Sequence, residues 1–332
     1  MRYQIDVSHV KKIQGKLWNR IAETFDFRKG YGGPLPILGH YGGVFQCGSE
    51  QLVIHTDGVG TKVLVAQDIG KFDTVGIDAV AMSANDILCL GAETMVGVDY
   101  IALTSEDDEL VDELMKGLVE GAREASCAII GGETAIMPDV IKGGNRPFDL
   151  AFTAVGRIRK KTITGKDITD GDILIGLESS GIHSSGYTLA RKLLDLEKWG
   201  KEMLEPTRIY CKPVLEMIDS GAEIHGIAHI TGGAFSKITR LSKTVGFEFD
   251  AGGMPKPKPI FEELARGVKD IRELYRTFNM GIGMVLVVPR AAENQIRGIA
   301  RKHGVGAHVI GKAADGKGVR LTKDGKEFDL VL

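Results

Sequence analysis

The sequence predicts a mixed α+β protein built from two domains. Three observations carry this. Apolar runs of strand length alternate with helix-spaced segments along the whole chain. A polar, charge-dense passage, RKKTITGKDITDGD at 159–172, interrupts that alternation near the middle of the 332 residues. Glycine is abundant, 44 residues where roughly 7% of the chain would be usual, which predicts many tight turns and close backbone approaches to ligands. The boundary is placed near residue 165, giving domains 1–165 and 166–332.

QLVIHT (51–56) has the composition of a strand and ends at Asp57. In 74–90, Ile77, Val80, Ala81, Ala84, Ile87 and Leu88 fall at helical spacing. MVGVDYIAL (95–103) is a strand and the acidic amphipathic stretch 106–126 a helix. CAII (127–130) is a short strand that should turn at Gly131-Gly132, and DLAFTAVGRI (149–158) is another strand. The second half repeats the mixture, with strands at 172–178, 224–230, 247–250 and 283–289 and a final strand pair. Helices are expected at 186–198, 207–219, 234–242, 260–266 and 291–303, with Pro-rich 254–259 as an extended connection.

Composition excludes several function classes. With 42 basic and 44 acidic residues the formal charge is −2, so neither a nucleic-acid surface nor an acidic tail is expected. The start, MRYQIDVSHVKK, has no apolar signal-peptide core, and no stretch approaches the ~18 apolar residues of a membrane span. Cys47, Cys89, Cys127 and Cys211 are far apart with no ligand spacing, as expected of free thiols in a reducing cytoplasm.

Six clusters carry the chemistry. DGVGTK (57–62) follows a strand: its glycines can aim amides at an anion, Lys62 adds a countercharge, and Asp57 is a hard oxygen ligand; a plain glycine turn is the alternative. Asn85-Asp86 lies in an apolar helix, where a buried carboxylate needs a metal, a lysine or a helix terminus as partner. In IIGGETA (129–135) the strand is expected to end in Gly131-Gly132, turning with open backbone amides, and Glu133 stands immediately beyond. Asp57, Asp86 and Glu133 together would suit Mg²⁺ bridging nucleotide phosphates. SSGIHSSGY (179–187) and HITGGAF (229–235) each run from strand through a Ser/Thr-Gly turn into a helix, an anion seat or simply a capped helix start. TFNMGIGM (277–284) is a polar glycine turn with Asn279 as its hydrogen-bonding group. GAHVIGKA (306–313) and GKAADGKG (311–318) lack the Ser/Thr of a P-loop, and GxGxxG after the first strand, GxSxG and HExxH are missing.

Taken in order, DGVGTK, Asn85-Asp86, GGETAIMP (131–138), SSGIHSSGY, PTRIY (206–210), HITGG and TFNMGIGM resemble the phosphoribosylformylglycinamidine cyclo-ligase (AIR synthetase) family over about residues 40–312. The resemblance implies a homodimer whose N-terminal domains contribute strands to a shared β-barrel, and a C-terminal α/β domain with a mixed sheet flanked by helices. It implies ATP and Mg²⁺, with a monovalent cation as a further candidate, and ATP-driven closure of an imidazole ring. Gly42 and Gly43 of HYGGVF, then Asp57, Gly58, Gly60, Thr61 and Lys62, fall on the nucleotide side, as do Asp86, Gly131 and Gly132. Asp57, Asp86 and Glu133 are the implied metal ligands. Ser180, Gly181, His183 and Ser184 fall on the substrate side with His229, Thr231, Gly232, Gly233 and Asn279. Asp57, Lys62 and His183 are the implied catalytic residues, His183 as a proton-transfer or positioning group.

The chain departs from the family pattern at Ile136 (commonly Glu), Ser185 (commonly Asn), Ala234 (commonly Gly) and an eroded N-terminal YQIDV (3–7). Related architectures such as thiamine-monophosphate kinase, selenophosphate synthetase, the large amidotransferase of the same pathway and a hydrogenase maturation protein share the carboxylate motifs. PTRIY and TFNMGIGM separate the cyclo-ligase from them, and the complete carboxylate–lysine set argues against a scaffold without turnover.

Overall fold

In a computed structural model, residues 7–331 are described; residues 3–6 of the eroded N-terminal motif lie outside them. The first half forms a five-stranded sheet from β1 (Gly43–Cys47), β2 (Glu50–Gly58), β3 (Ala92–Leu103), β4 (Ala128–Ile136) and β5 (Phe148–Ile158), in the order β1-β2-β5-β3-β4. Only β3 and β4 pair in parallel. The helices of this half are α1 (Val7–Glu23), α2 (Lys62–Ile69), α3 (Asp73–Leu88) and α4 (Asp108–Ala125). The second half forms a seven-stranded sheet from β6 (Ile173–Glu178), β7 (Gly226–His229), β8 (Val245–Asp250), β9 (Ile282–Val288), β10 (Ala307–Asp315), β11 (Val319–Lys323) and β12 (Lys326–Asp329). Its order is β12-β11-β8-β10-β6-β9-β7, and only β11 and β8 run parallel. Around it lie α5 (Tyr187–Leu193), α6 (Leu196–Met203), α7 (Cys211–Asp219), α8 (Pro259–Gly267), α9 (Ile271–Thr277) and α10 (Glu293–Lys302). Both sheets are mixed and open, so the described residues of one chain close no barrel.

Several expectations need correction. The Gly131-Gly132 turn does not exist, because β4 runs straight through both glycines. A Cβ on Gly132 would stand 2.3 Å from the Asp99 carboxylate on β3, so this glycine is there for strand pairing. The helix expected at 186–198 is two helices, since the Asp195 side chain accepts the Glu197 N–H and starts a new cap. The helix expected at 207–219 begins only at Cys211, and 234–240 is a 3₁₀ helix. The α9 helix, capped by Asp270, and strand β1 had no expected counterpart.

The α3 helix is the spine of the first half, with 13 of its 16 residues buried. Glycines let α4 lie directly against it. A Cβ on Gly117 would sit 2.1 Å from the Asp73 carbonyl oxygen, and one on Gly76 2.3 Å from the Leu118 nitrogen. These helix positions use glycine for packing, not for ligands. The opposite face of the sheet stays open, with Ile54, Val98 and Tyr100 exposed where their strand neighbours Val53 and Asp99 point inward.

The two halves meet through buried polar groups. Lys62, at the start of α2, is fully buried with Nζ 2.7 Å from Asp78 of α3, and it donates to the Glu205 carbonyl at 2.7 Å. Asp78 Oδ1 also accepts the Thr207 N–H (2.7 Å), the Thr207 hydroxyl (2.6 Å) and the Ser184 hydroxyl (2.9 Å). Breaking a buried pair from one side strands a charge in low dielectric. Lys62→Met is therefore expected to cost about 3 kcal/mol, and Asp78→Asn a similar amount. The double variant should lose less than the sum, as read from urea midpoints in a double-mutant cycle. Gly117→Val, which drives methyls into the α3 backbone, is expected to lower stability by about 3 kcal/mol or prevent folding, as read by thermal unfolding.

Candidate active site at the junction of the two halves

Strand alternation places His55 and Asp57 on the same face of β2, two residues apart. α3 brings Asp86 to them, and the ligand atoms of His55, Asp57 and Asp86 lie within 4.8 Å of one another. From the other half, β7 contributes the fully buried His229, whose Nδ1 stands 2.7 Å from Asp86 Oδ1. The protonation pattern can be read from the backbone. Asn85 Oδ1 accepts the Tyr210 N–H (3.0 Å) and Asn85 Nδ2 donates to the Arg208 carbonyl (2.9 Å), which orients the amide. The same Nδ2 faces His229 Nε2 at 3.5 Å, so Nε2 is the acceptor and Nδ1–H donates to Asp86.

Burial by itself would raise the Asp86 carboxyl. The His229 hydrogen bond and then the charge of Lys237 outweigh it and hold Asp86 at about 2. Asp57 is raised instead, by burial and then by the negative charge of Asp86, although the Gly58 N–H (2.9 Å) favours its ionised form. Lys237, on the 3₁₀ helix after HITGG, supplies the cation: it donates to Thr231 Oγ1 and its Nζ lies 5.9 Å from the Tyr41 ring centroid. Burial lowers its pKa, while Asp86 and Asp57 raise it. Arg240 stacks over the same Tyr41 ring at 5.1 Å, and burial followed by the Arg240 charge brings His40 down to about 4.

This group fits a divalent cation. Two carboxylates supply hard oxygen donors, and His55 Nδ1 is buried without a hydrogen-bond partner. The expected third carboxylate is elsewhere. Asp57 pairs with Phe152 of β5, Phe152 with Asp99 of β3, and Asp99 with Gly132 of β4, so Glu133 is one residue out of that row and three strands away. It is exposed beside Tyr100 on the other face of the sheet. Within one chain the Asp57–Asp86–Glu133 set is therefore not assembled, and His55 takes the third place. Lys62 likewise does not join Asp57; it is committed to Asp78.

The remaining expected residues divide. Gly60 needs its positive φ of 72° to end β2 and start α2, and Thr61 stands 3.5 Å from Thr188, hydroxyl to hydroxyl. Gly42 is packed, since a Cβ there would meet Val53 at 2.9 Å, whereas Gly43, Gly58 and Gly131 have room. Gly232 and Gly233 are exposed beside buried Thr231, so the turn after His229 offers open amides. His183 is buried at a φ of 66°, and its Nε2 accepts the Ser180 N–H (3.2 Å) and the Arg208 N–H (3.4 Å). Burial and nearby positive charge push its pKa well down, so it is a neutral acceptor. Asn279 ties the turn together through the Gly181 and Ile182 carbonyls, with Ser180 Oγ on the Pro206 carbonyl at 2.5 Å.

Sequence reading missed His55, Asp78 and Lys237. His55 was visible as Asp57 minus two on a strand, and Asp78 as Asn85 minus seven on a helix. Nothing in the sequence marked Lys237.

Comparison with known proteins bears on this geometry. The family models described as AIR synthase related protein, N-terminal domain and C-terminal domain, match residues 39–158 and 169–324. A phosphoribosylformylglycinamidine cyclo-ligase of Thermococcus kodakarensis is 48% identical over 314 residues, 91% of each chain. One from Methanocaldococcus jannaschii is 45% identical over 94% of this chain and 91% of its own. Among solved structures, a HypE–HypF complex superposes with a TM-score of 0.70 at 20% identity, covering 94% of this chain and 98% of that one. AaThiL complexed with AMPPCP and TMP gives 0.69 at 15% identity, covering 98% and 97%. At these identities the solved structures show the fold alone. The extent and identity of the sequence match go further: this chain belongs to the phosphoribosylformylglycinamidine cyclo-ligase family.

Proposed function

We propose that the protein closes the imidazole ring of formylglycinamidine ribonucleotide with ATP, giving 5-aminoimidazole ribonucleotide, ADP and phosphate in purine biosynthesis. The observation that carries this is the shared identity of 48% and 45% with relatives of that name over nearly the whole chain. The junction supplies the chemistry. Mg²⁺ held by Asp57 and Asp86 beside His55 would offset the charge of the nucleotide phosphates. Lys237, not Lys62, is the cation placed to stabilise charge developing on the transferred phosphoryl group. His229 holds Asp86 ionised and correctly turned. The substrate's formyl oxygen takes the γ-phosphoryl group, releasing ADP. The amidine nitrogen then attacks that carbon, and phosphate leaves as the ring closes. The Thr231-Gly232-Gly233 turn offers amides to an anionic group, and His183 positions the 179–187 turn through its two accepted N–H bonds.

The protein acts as a cytoplasmic homodimer in this reading. Among the described residues no helix is long and apolar enough to cross a membrane. Ile54, Val98 and Tyr100 on the open sheet face, and Ile13, Leu17 and Ile21 of α1, are exposed apolar groups that a second copy would cover. The domain boundary falls near residue 165, between the end of β5 at Ile158 and the start of β6 at Ile173.

With ATP, Mg²⁺ and the ribonucleotide, ADP and aminoimidazole ribonucleotide should appear in equal amounts, and both should vanish with EDTA. ATP consumption without the imidazole would point to a kinase-like reaction instead. Asp57→Asn and Lys237→Met should each lower kcat by about 10²–10³ with the unfolding midpoint near wild type. An Asp57→Asn enzyme with near-normal turnover would remove Asp57 from the metal site. Asp86, held at about 2, stays ionised across the working range. A carboxyl depressed in the fold stabilises it above the unfolded value of about 4. That contribution should fade as pH falls from about 4 towards 2, and His229→Phe should move the loss to higher pH in acid-unfolding titrations.

A further inference from the structure

The segment 205–210, Glu-Pro-Thr-Arg-Ile-Tyr, carries a motif to which neither the carboxylate group nor the glycine turns give a role. It has no regular secondary structure, yet it is tied to α3 at two points. Asp78 takes the Thr207 N–H and hydroxyl, and Asn85 takes the Tyr210 N–H while donating to the Arg208 carbonyl. Asp78 and Asn85 are seven residues apart, two helical turns or about 10.5 Å. The three residues from Thr207 to Tyr210 span about 10 Å only when nearly extended. The helix repeat therefore holds this strap stretched. Lys62 on the Glu205 carbonyl and Ser180 on the Pro206 carbonyl brace its leading end, and the Arg208 N–H is bound by His183.

Arg208 is thus fixed at its backbone on both sides, through N–H and carbonyl, while its side chain is uncommitted. The guanidinium makes no ion pair among the described residues, and its Nε is buried with no hydrogen-bond partner. A guanidinium has five donors in a planar fork and no acceptor, so an unpartnered buried Nε–H calls for an anion. The surroundings agree. After burial, what lowers the His183 pKa is nearby positive charge, that of Lys62, Arg208 and Lys258 included, a basic neighbourhood whose lysine at 62 is already spent on Asp78.

We propose that Arg208 recognises the 5-phosphate of the ribonucleotide substrate, a phosphate monoester, and that the Asp78–Asn85 face of α3 is what positions it. This rests on the cyclo-ligase reading and adds to it the residue that separates nucleotide from nucleoside. The strap explains why recognition needs both halves of the chain: the arginine comes from one and the anchors from the other.

The test is calorimetric titration of wild type, Arg208→Met and Arg208→Lys with three ligands: formylglycinamidine ribonucleotide, its dephosphorylated ribonucleoside, and ATP. Arg208→Met should raise the ribonucleotide Kd roughly 10- to 100-fold, the range of a lost charge-assisted hydrogen bond. Ribonucleoside and ATP affinities should stay within about twofold of wild type. Arg208→Lys keeps the charge without the fork and should fall between the two. It also decides the matter if the methionine variant does not fold. Equal weakening of ribonucleotide and ribonucleoside, unchanged ribonucleotide binding, or weakening of ATP would each overturn the role of Arg208 while leaving the cyclo-ligase reading intact. Wild-type protein that binds neither the ribonucleotide nor the ribonucleoside would overturn both.

Discussion

A polar face on an otherwise apolar helix organises the molecule. Asp78, Asn85 and Asp86 are all buried on α3, and none could remain there without partners. Asp78 is met by Lys62, Thr207 and Ser184, Asn85 by Arg208 and Tyr210, and Asp86 by His229. All of these partners except Lys62 come from the second half of the chain. The requirement to satisfy three buried polar side chains is thus the same requirement that seats one half on the other. The strap at 205–210, the neutral His183 and the turn held by Asn279 all take their positions from it.

The electrostatics of the site follow from this arrangement. Asp57 and Asp86 are neighbours of like charge, and the structure separates their behaviour: His229 and Lys237 hold Asp86 ionised, while Asp57 is pushed up by burial and by Asp86 itself. A divalent cation held there would relieve that repulsion directly. The two lysines divide their work in a similar way. Lys62 is locked into the junction by its ion pair with Asp78, whereas the charge of Lys237 acts on Asp86 and Asp57.

Glycine content was read correctly as a sign of close approach, but not always for the right approach. Gly76 and Gly117 bring two helices together and Gly132 admits the Asp99 side chain between strands, whereas Gly232 and Gly233 do leave amides open. Composition reports that the backbone is crowded somewhere. Which neighbour crowds it depends on residues far away in the chain.

By itself the sequence determined the alternation of strands and helices, most of their limits, and the placing of several acidic and histidine side chains at strand ends and beside glycine turns. These are written in local periodicity: Asp57 ends a strand, Asp86 lies on a helix and His229 precedes Thr-Gly-Gly because spacings of 2 and 3.6 residues are visible over short windows. Only the tertiary structure decided which groups meet. Register across three strands put Glu133 on the far face from Asp57. Burial of Asp78 claimed Lys62, 16 residues earlier, and the charge of Lys237 came to act on the carboxylates from a 3₁₀ turn that no periodicity marks. Contacts between residues more than 100 positions apart, such as Asp86 with His229 and Asn85 with Tyr210, are set by how sheets and helices stack, and local spacing carries no record of that stacking.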